Sequence, residues 1–214
     1  MDKRTKDIMV ASLALAAAAG ALYFAFAGRS QKINLDPYHV LGAVTAEETA
    51  RLLGYKGQVL LMARGTGADK NPSVEAELKA FQQTLKQHSG LSVVTQKIQV
   101  TPMLMMATGG GLPPDQFFSA LETHAHAAAV VLFFGFPQLA EPELEALKKS
   151  GVKTVVVSSL RPGYKRLLER RAIHLAIVPR SDAPPPGVQA PRTLRERFDQ
   201  QFSIITPADA ASLP

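Results

Sequence analysis

Between Gln58 and Val178 the chain repeats one pattern: a short apolar run, a turn, then a stretch with helical spacing. The runs are Gln58–Ala63 (QVLLMA), Leu91–Val100 (LSVVTQKIQV), Ala128–Phe134 (AAVVLFF), Lys153–Ser158 (KTVVVS) and Ile173–Val178 (IHLAIV). They are short and rich in β-branched residues, which marks strands. The intervening segments begin at Asn71-Pro72, Pro113-Pro114, Pro142 and Tyr164, and three of them open on proline, whose fixed φ suits a first helical turn. Strands separated by helices pair through right-handed crossovers, so the sheet is parallel and covered by helices on both faces. The expected fold is a five-stranded, doubly wound parallel α/β sheet of order 2-1-3-4-5. Ala128–Phe134 is the most apolar run and belongs at the centre; Leu91–Val100 alternates only in part, as an outer strand does.

Before this pattern lies a twenty-residue run without charge, Ile8 to Ala27. As a helix it spans about 30 Å, the thickness of a bilayer core. Lys3, Arg4 and Lys6 precede it, so the N-terminus is expected in the cytoplasm and the remainder outside, on an inner (cytoplasmic) membrane. The alternative is a secretory signal: Ala25-Phe26-Ala27 has the small-x-small pattern of a cleavage site after Ala27. Nine of the twenty residues are alanine, which drives insertion weakly. Ser12, Ala16 and Gly20 form a small-xxx-small stripe on one face, the pattern that lets a second membrane helix approach.

The expected organisation is an anchor or signal at 1–30, a linker with a short helix at 31–57, the α/β domain at 58–180 and a Pro-rich tail at 181–214. In the linker, Pro37 and Gly42 read as breakers, and Thr45-Ala-Glu-Glu48 reads as a capping box starting a helix over 46–53. In the tail, SDAPPPGVQAP is extended, residues 193–202 form one short amphipathic helix, and the last twelve residues carry no helical signal.

Composition narrows the chemistry. The chain has no cysteine, which removes disulfides, thiolate metal sites and cysteine nucleophiles. The net charge of +6 is concentrated between Arg161 and Arg197, with nine basic residues against three acidic. An extracytoplasmic position argues against nucleic acid and points instead to an anionic lipid surface or an acidic partner. His124 and His126 stand two apart and cannot share a metal across one helical turn. No metal site, cofactor or acid–base pair of carboxylates emerges.

The candidate ligand-binding residues sit where strands end and helices begin, the edge at which such sheets hold ligands. They are Gly65, Thr66 and Gly67 after the first run, Gly135 after the third, and Ser158 and Ser159 after the fourth. The Gly65 loop lacks the third glycine of a dinucleotide fingerprint and the lysine of a P-loop, and Ser158 has no nucleophile elbow around it. Gly109-Gly110-Gly111 reads as a mobile loop, and Met103 to Met106 as an apolar patch beside it.

The rhythm of Leu112 to Pro179, LPPDQFFSALETHAHAAAVVLFFGFPQLAEPELEALKKSGVKTVVVSS and onward, resembles the type I periplasmic binding proteins and their repressor relatives. The resemblance extends over Gln58–Pro179. It implies a lobe that meets ligand at its C-terminal strand ends. That family closes two lobes on a ligand, whereas this chain has one lobe and then a tail. It also has no tryptophan, where sugar-binding members stack a sugar on aromatic rings. The first expectation is therefore a non-enzymatic, membrane-anchored scaffold or interaction subunit of an envelope complex, contacting other subunits through its anchor and tail. The alternative is a small-molecule-binding sensor or carrier lobe.

Overall fold

The computed structural model describes residues 15, 17–21, 33–65, 71–99, 103, 108, 111–158, 163–181 and 193–213. The chain divides into two compact units, 1–34 and 35–214. In the first, residues 15 and 17–21 are helical, and the rest of the apolar run, including Ser12 and Ala16, lies outside the described residues. Among the described residues no helix is long and apolar enough to cross a membrane.

The second unit is an α/β lobe. Its elements in chain order are α1 (Asp36–Leu52), β1 (Gly57–Gly65), α2 (Pro72–Leu85), β2 (Leu91–Gln99), α3 (Pro114–Thr123), β3 (Ala127–Leu132), α4 (Glu141–Ser150), β4 (Lys153–Val157), α5 (Lys165–Glu169), β5 (Leu175–Pro179), α6 (Leu194–Gln201) and β6 (Phe202–Ile205), then a 3₁₀ turn over Pro207–Ser212. Among the described residues six strands form one sheet of order β2-β1-β3-β4-β5-β6. The first five pair in parallel, in the expected 2-1-3-4-5 order, and β2 is the outer strand at one edge.

Alternation along each strand separates two cores. Leu60, Met62, Val130, Leu132, Val156, Ala176 and Val178 face Phe117, Leu147 and Leu168 of α3, α4 and α5. Val59, Leu61, Ala63, Val131, Val155, Val157 and Ile177 face Val40, Val44, Phe81, Leu85 and Phe198 of α1, α2 and α6. From Ala129 to Leu132, β3 is wholly buried, with one side chain to each core in turn. Each large apolar side chain so buried contributes about 2 kcal/mol.

The structure corrects the expected organisation in three places. Helix α1 runs from Asp36, where a linker with a short helix over 31–57 was expected. Pro37 sits in the first turn, where its missing N–H costs nothing. Gly42 does not break the helix, because a Cβ there would overlap the Glu77 carbonyl of α2. The glycine lets the two helices pack closely. Thr45 and Thr49 lie inside α1, and their hydroxyls donate 2.7 Å bonds to the Leu41 and Thr45 carbonyls four residues back. The expected capping box therefore does not exist.

The second correction is at the tail. Phe202–Ile205 pairs antiparallel with β5, so the sheet has six strands and the lobe does not end at residue 180. Four residues are too few for period-two patterning to declare a strand; the open edge of β5 induces it. Helix α6 occupies its expected place, with Thr193 and Glu196 as a true capping box. The 3₁₀ turn at Pro207–Ser212, capped by Thr206 and Asp209, stands where no helical signal was read.

The third concerns the basic cluster. Glu48, expected to cap, instead receives Arg51 at 2.7 Å and Arg195 of α6 at 2.5 Å. Arg195 also pairs with Asp199, and Arg197 reaches Asp36 at 2.7 Å, so α6 is fastened to α1 by charge as well as by Phe198. Arg166 and Arg170 both pair with Glu141. Four of the nine basic residues are thus engaged with carboxylates of the lobe itself, which leaves less charge for a lipid surface.

Two predictions follow from the α1–α2 packing. Gly42→Ala forces the helices apart and should cost about 1–3 kcal/mol in urea unfolding; an unchanged midpoint would contradict the close approach. Glu77 is 8% exposed, and burial pushes its carboxyl up to about 8 from 4.5. Between those values the folded state holds a proton that the unfolded chain releases, so stability falls as pH rises from about 4.5 through 8. Glu77→Gln should raise Tm at pH 8 by several degrees, on the order of 3 °C per kcal/mol, and by nothing below pH 4.5.

Candidate functional site

In a parallel sheet with right-handed crossovers the strands all end on one edge, and their following loops gather there. The C-terminal ends of β1, β3 and β4 are neighbours, because β3 lies between β1 and β4. Met62, Leu132 and Val156 lie level across these three strands. Two residues further on come Arg64, paired with Ile98 of β2, Phe134 in the turn after β3, and Ser158 just past β4, which the alternation of side chains assigns to the face that carries α3, α4 and α5.

Gly65 closes β1, opposite Gln99 of β2, whose side chain lies over it. Gly135 follows β3 with φ +89°, a conformation glycine adopts freely, and its N–H donates to the Val157 carbonyl at 3.3 Å. That bond ties the β3 loop to the end of β4. Ser158 is buried, and its N–H donates to the Ile177 carbonyl at 3.0 Å. Thr66, Gly67 and Ser159 lie outside the described residues. Of the six candidate positions, the structure thus brings Gly135 and Ser158 together and puts Gly65 on the same edge.

Tyr164 completes the cluster. Its ring is buried, and its hydroxyl is hydrogen-bonded to the Ser158 side chain and to the Phe136 backbone. Burial holds the phenol above its ordinary value, so it is neutral at physiological pH. Phe136 packs against Phe117 of α3 at 6.5 Å between ring centres. Gly111 approaches the Phe136 carbonyl, so the segment leading into α3 also meets this loop. The Thr108 hydroxyl donates to the Gly111 carbonyl at 2.7 Å, which closes the turn ahead of it.

Arg64 was not among the sequence candidates. It is half-buried, its Nε has no contact with solvent, and its guanidinium has no hydrogen-bond or ion-pair partner among the described residues. The signal available in the sequence was a lone arginine ending an otherwise apolar strand, QVLLMAR. Tyr164 could have been read as the first aromatic after the Ser158 loop; its contact with Ser158 is tertiary.

The arrangement offers hydrogen-bonding groups and a cation, and among the described residues it holds no nucleophile–base pair. The Ser158 hydroxyl is engaged by Tyr164. His174 stands at the other end of the sheet, where its Nδ1 accepts from the Thr154 N–H at 3.2 Å. Thr154 and Ser158 are four residues apart along one strand direction, about 13 Å. Burial, with Lys153 and Arg171 nearby, pushes His174 down to about 4, so it is neutral. Among the described residues no three His, Asp or Glu side chains gather as a metal site would require.

No protein-family model matches the chain, and no curated protein matches it by sequence. Solved structures do resemble it. An arabinose-binding protein, AraP, from Geobacillus stearothermophilus matches 83% of this chain and 63% of its own length at 13% identity and TM-score 0.57. The sugar-binding protein of a sugar ABC transporter from Bacillus halodurans matches 83% and 64% at 12% identity and TM-score 0.55. A LacI transcriptional regulator from Bacteroides fragilis matches 83% and 62% at 9% identity and TM-score 0.55. The chain thus spans less than two thirds of the length of the structures it matches. It carries a lobe of the type I periplasmic-binding-protein fold, shared by sugar-binding proteins and LacI-type regulators.

Tyr164→Phe tests the cluster directly. Removing one hydroxyl that bonds Ser158 and the Phe136 backbone should cost about 1 kcal/mol in chemical unfolding and increase amide exchange at residues 135–136. Unchanged exchange there would show that the hydroxyl does not hold the loop.

Proposed function

We propose that the lobe is a non-enzymatic module that binds a small polar solute at the C-terminal ends of β1, β3 and β4. The observation that carries this reading is the row formed by Arg64 and Ser158 across β3, with Gly135 and Tyr164 fixing the loops around it. The likeness of the fold to sugar-binding periplasmic proteins supports the same reading over that of a bare scaffold. The comparison proteins are two binding proteins and a regulator, which agrees with a role without catalysis.

The charge-free run Ile8–Ala27 supports a position outside the cytoplasm, with the lobe tethered to the membrane by that segment or released after Ala27. A single lobe leaves its strand-end edge open on one side. A further lobe, a second subunit or a second copy would close it, and the Ser12, Ala16 and Gly20 stripe supports assembly through the membrane helix. In this form the interaction role and the binding role belong to one molecule: a sensor or carrier lobe that works within a membrane complex.

The test is to purify the full chain in mild detergent and screen pentoses, hexoses and their acids by thermal shift, following hits by hydrogen exchange. A binding solute should raise Tm and slow exchange at residues 133–136 and 158–164. Failure of every solute to do so, or protection confined to other regions, would return the scaffold reading to first place.

A further inference from the structure

We infer that the solute is an anion, whose carboxylate or phosphate is held by the Arg64 guanidinium; this rests on the binding role proposed above. The guanidinium stays charged at any physiological pH and carries five donors and no acceptor. Its Nε is sealed from water and makes no bond. A buried donor on a charged group without an acceptor is costly, and folded proteins retain few of them.

Most of the other arginines among the described residues are paired, and Arg171 is exposed to solvent. Arg51, Arg166, Arg170, Arg195 and Arg197 each hold a carboxylate, and Arg180 donates to the Asp199 carbonyl at 3.0 Å. Those on α1, α5 and α6 lie nearer to solvent, where water would satisfy them. Arg64 is the more enclosed cation, and no side chain among the described residues neutralises it.

Its position gives the vacant donor a use. Arg64 is on the same face of β1 as Leu60 and Met62, directly opposite Ile98 of β2. With Nε buried, the Nη end of the guanidinium is the part a ligand can reach, and its two Nη–H groups lie side by side at a spacing that matches the two oxygens of a carboxylate or phosphate. Ser158 stands in the same row two strands away, about 10 Å across the sheet. A small polyhydroxylated acid spans that gap, its anionic end at Arg64 and its hydroxyls toward Ser158 and Tyr164. A neutral sugar would leave the cation as it is.

The full chain in detergent is titrated by calorimetry and thermal shift with galactose, galacturonate, glucose 6-phosphate and inorganic phosphate, as wild type, Arg64→Met and Arg64→Lys. The expected result is that at least one sugar acid or sugar phosphate binds about tenfold or more tightly than galactose. The tightly bound member tells carboxylate from phosphate. Arg64→Met should abolish that preference, Arg64→Lys should keep part of it, and raised salt should weaken it. Without ligand, Arg64→Met should melt at or above the wild-type temperature, because it removes an unpaired cation. A lower melting point would assign Arg64 a structural role and overturn the inference. Equal binding of galactose and galacturonate, unchanged in Arg64→Met, would overturn it while leaving the binding role intact. If no compound binds wild type, both fall.

Discussion

Strand β3 meets protein on both faces and both edges. Its residues Ala129 to Leu132 are fully buried, and β1 and β4 flank it. Such a strand exists only if helices cover both sides of the sheet, and the rest of the lobe meets that requirement. Helices α3, α4 and α5 close one side; α1, α2 and α6 close the other. The crossovers that deliver those helices place all the parallel strand ends on one edge. The edge that carries Arg64 and Ser158 is thus a by-product of how the central strand is buried.

Polar groups inside this frame are each handled differently. Thr45 and Thr49 return their hydroxyls to their own helix. Glu48 is saturated by two arginines, and the pairing fastens the returning α6 against α1. Glu77 is kept by protonation, since burial raises its pKa into the physiological range. His174 is kept neutral at the opposite end of the sheet. Arg64 alone among these follows none of these routes, since guanidinium cannot give up its proton and no acceptor among the described residues bonds it. That contrast sets it apart from the paired charges of α1, α5 and α6.

Legibility followed the range of the interactions. Strands β1 to β5 and their order were readable, because each is long enough to show apolar or β-branched patterning and the crossover rules leave few topologies. Helix α2 announced itself through Asn71, whose side chain does accept from the Ser73 and Val74 N–H groups. Helix α1 was concealed by Pro37 and Gly42, two residues that break helices in general and fit this one through position and close packing. Strand β6 was invisible because its pairing partners lie 23 to 29 residues upstream in β5. The position of Gly65, Gly135 and Ser158 at the C-terminal strand ends was readable from the sequence, whereas the surroundings of Arg64 and Tyr164 are tertiary.

The sequence by itself determined the class of this protein: alternating apolar runs and helical segments admit a parallel, doubly covered sheet, and the position of each run settled which strand lies inside. Local patterning suffices there because burial on both faces demands uninterrupted apolar residues. Only the tertiary structure decided that residues 35–52 and 193–213 belong to the lobe, and that Arg64, Ser158 and Tyr164 share one edge. Those facts depend on relations between segments far apart in the chain: the Glu77 carbonyl against Gly42, Glu48 against Arg195, and Arg64 without a counter-charge among the described residues. No local pattern encodes whether a charged side chain meets its opposite, and that meeting, or its absence, is what marks the candidate site.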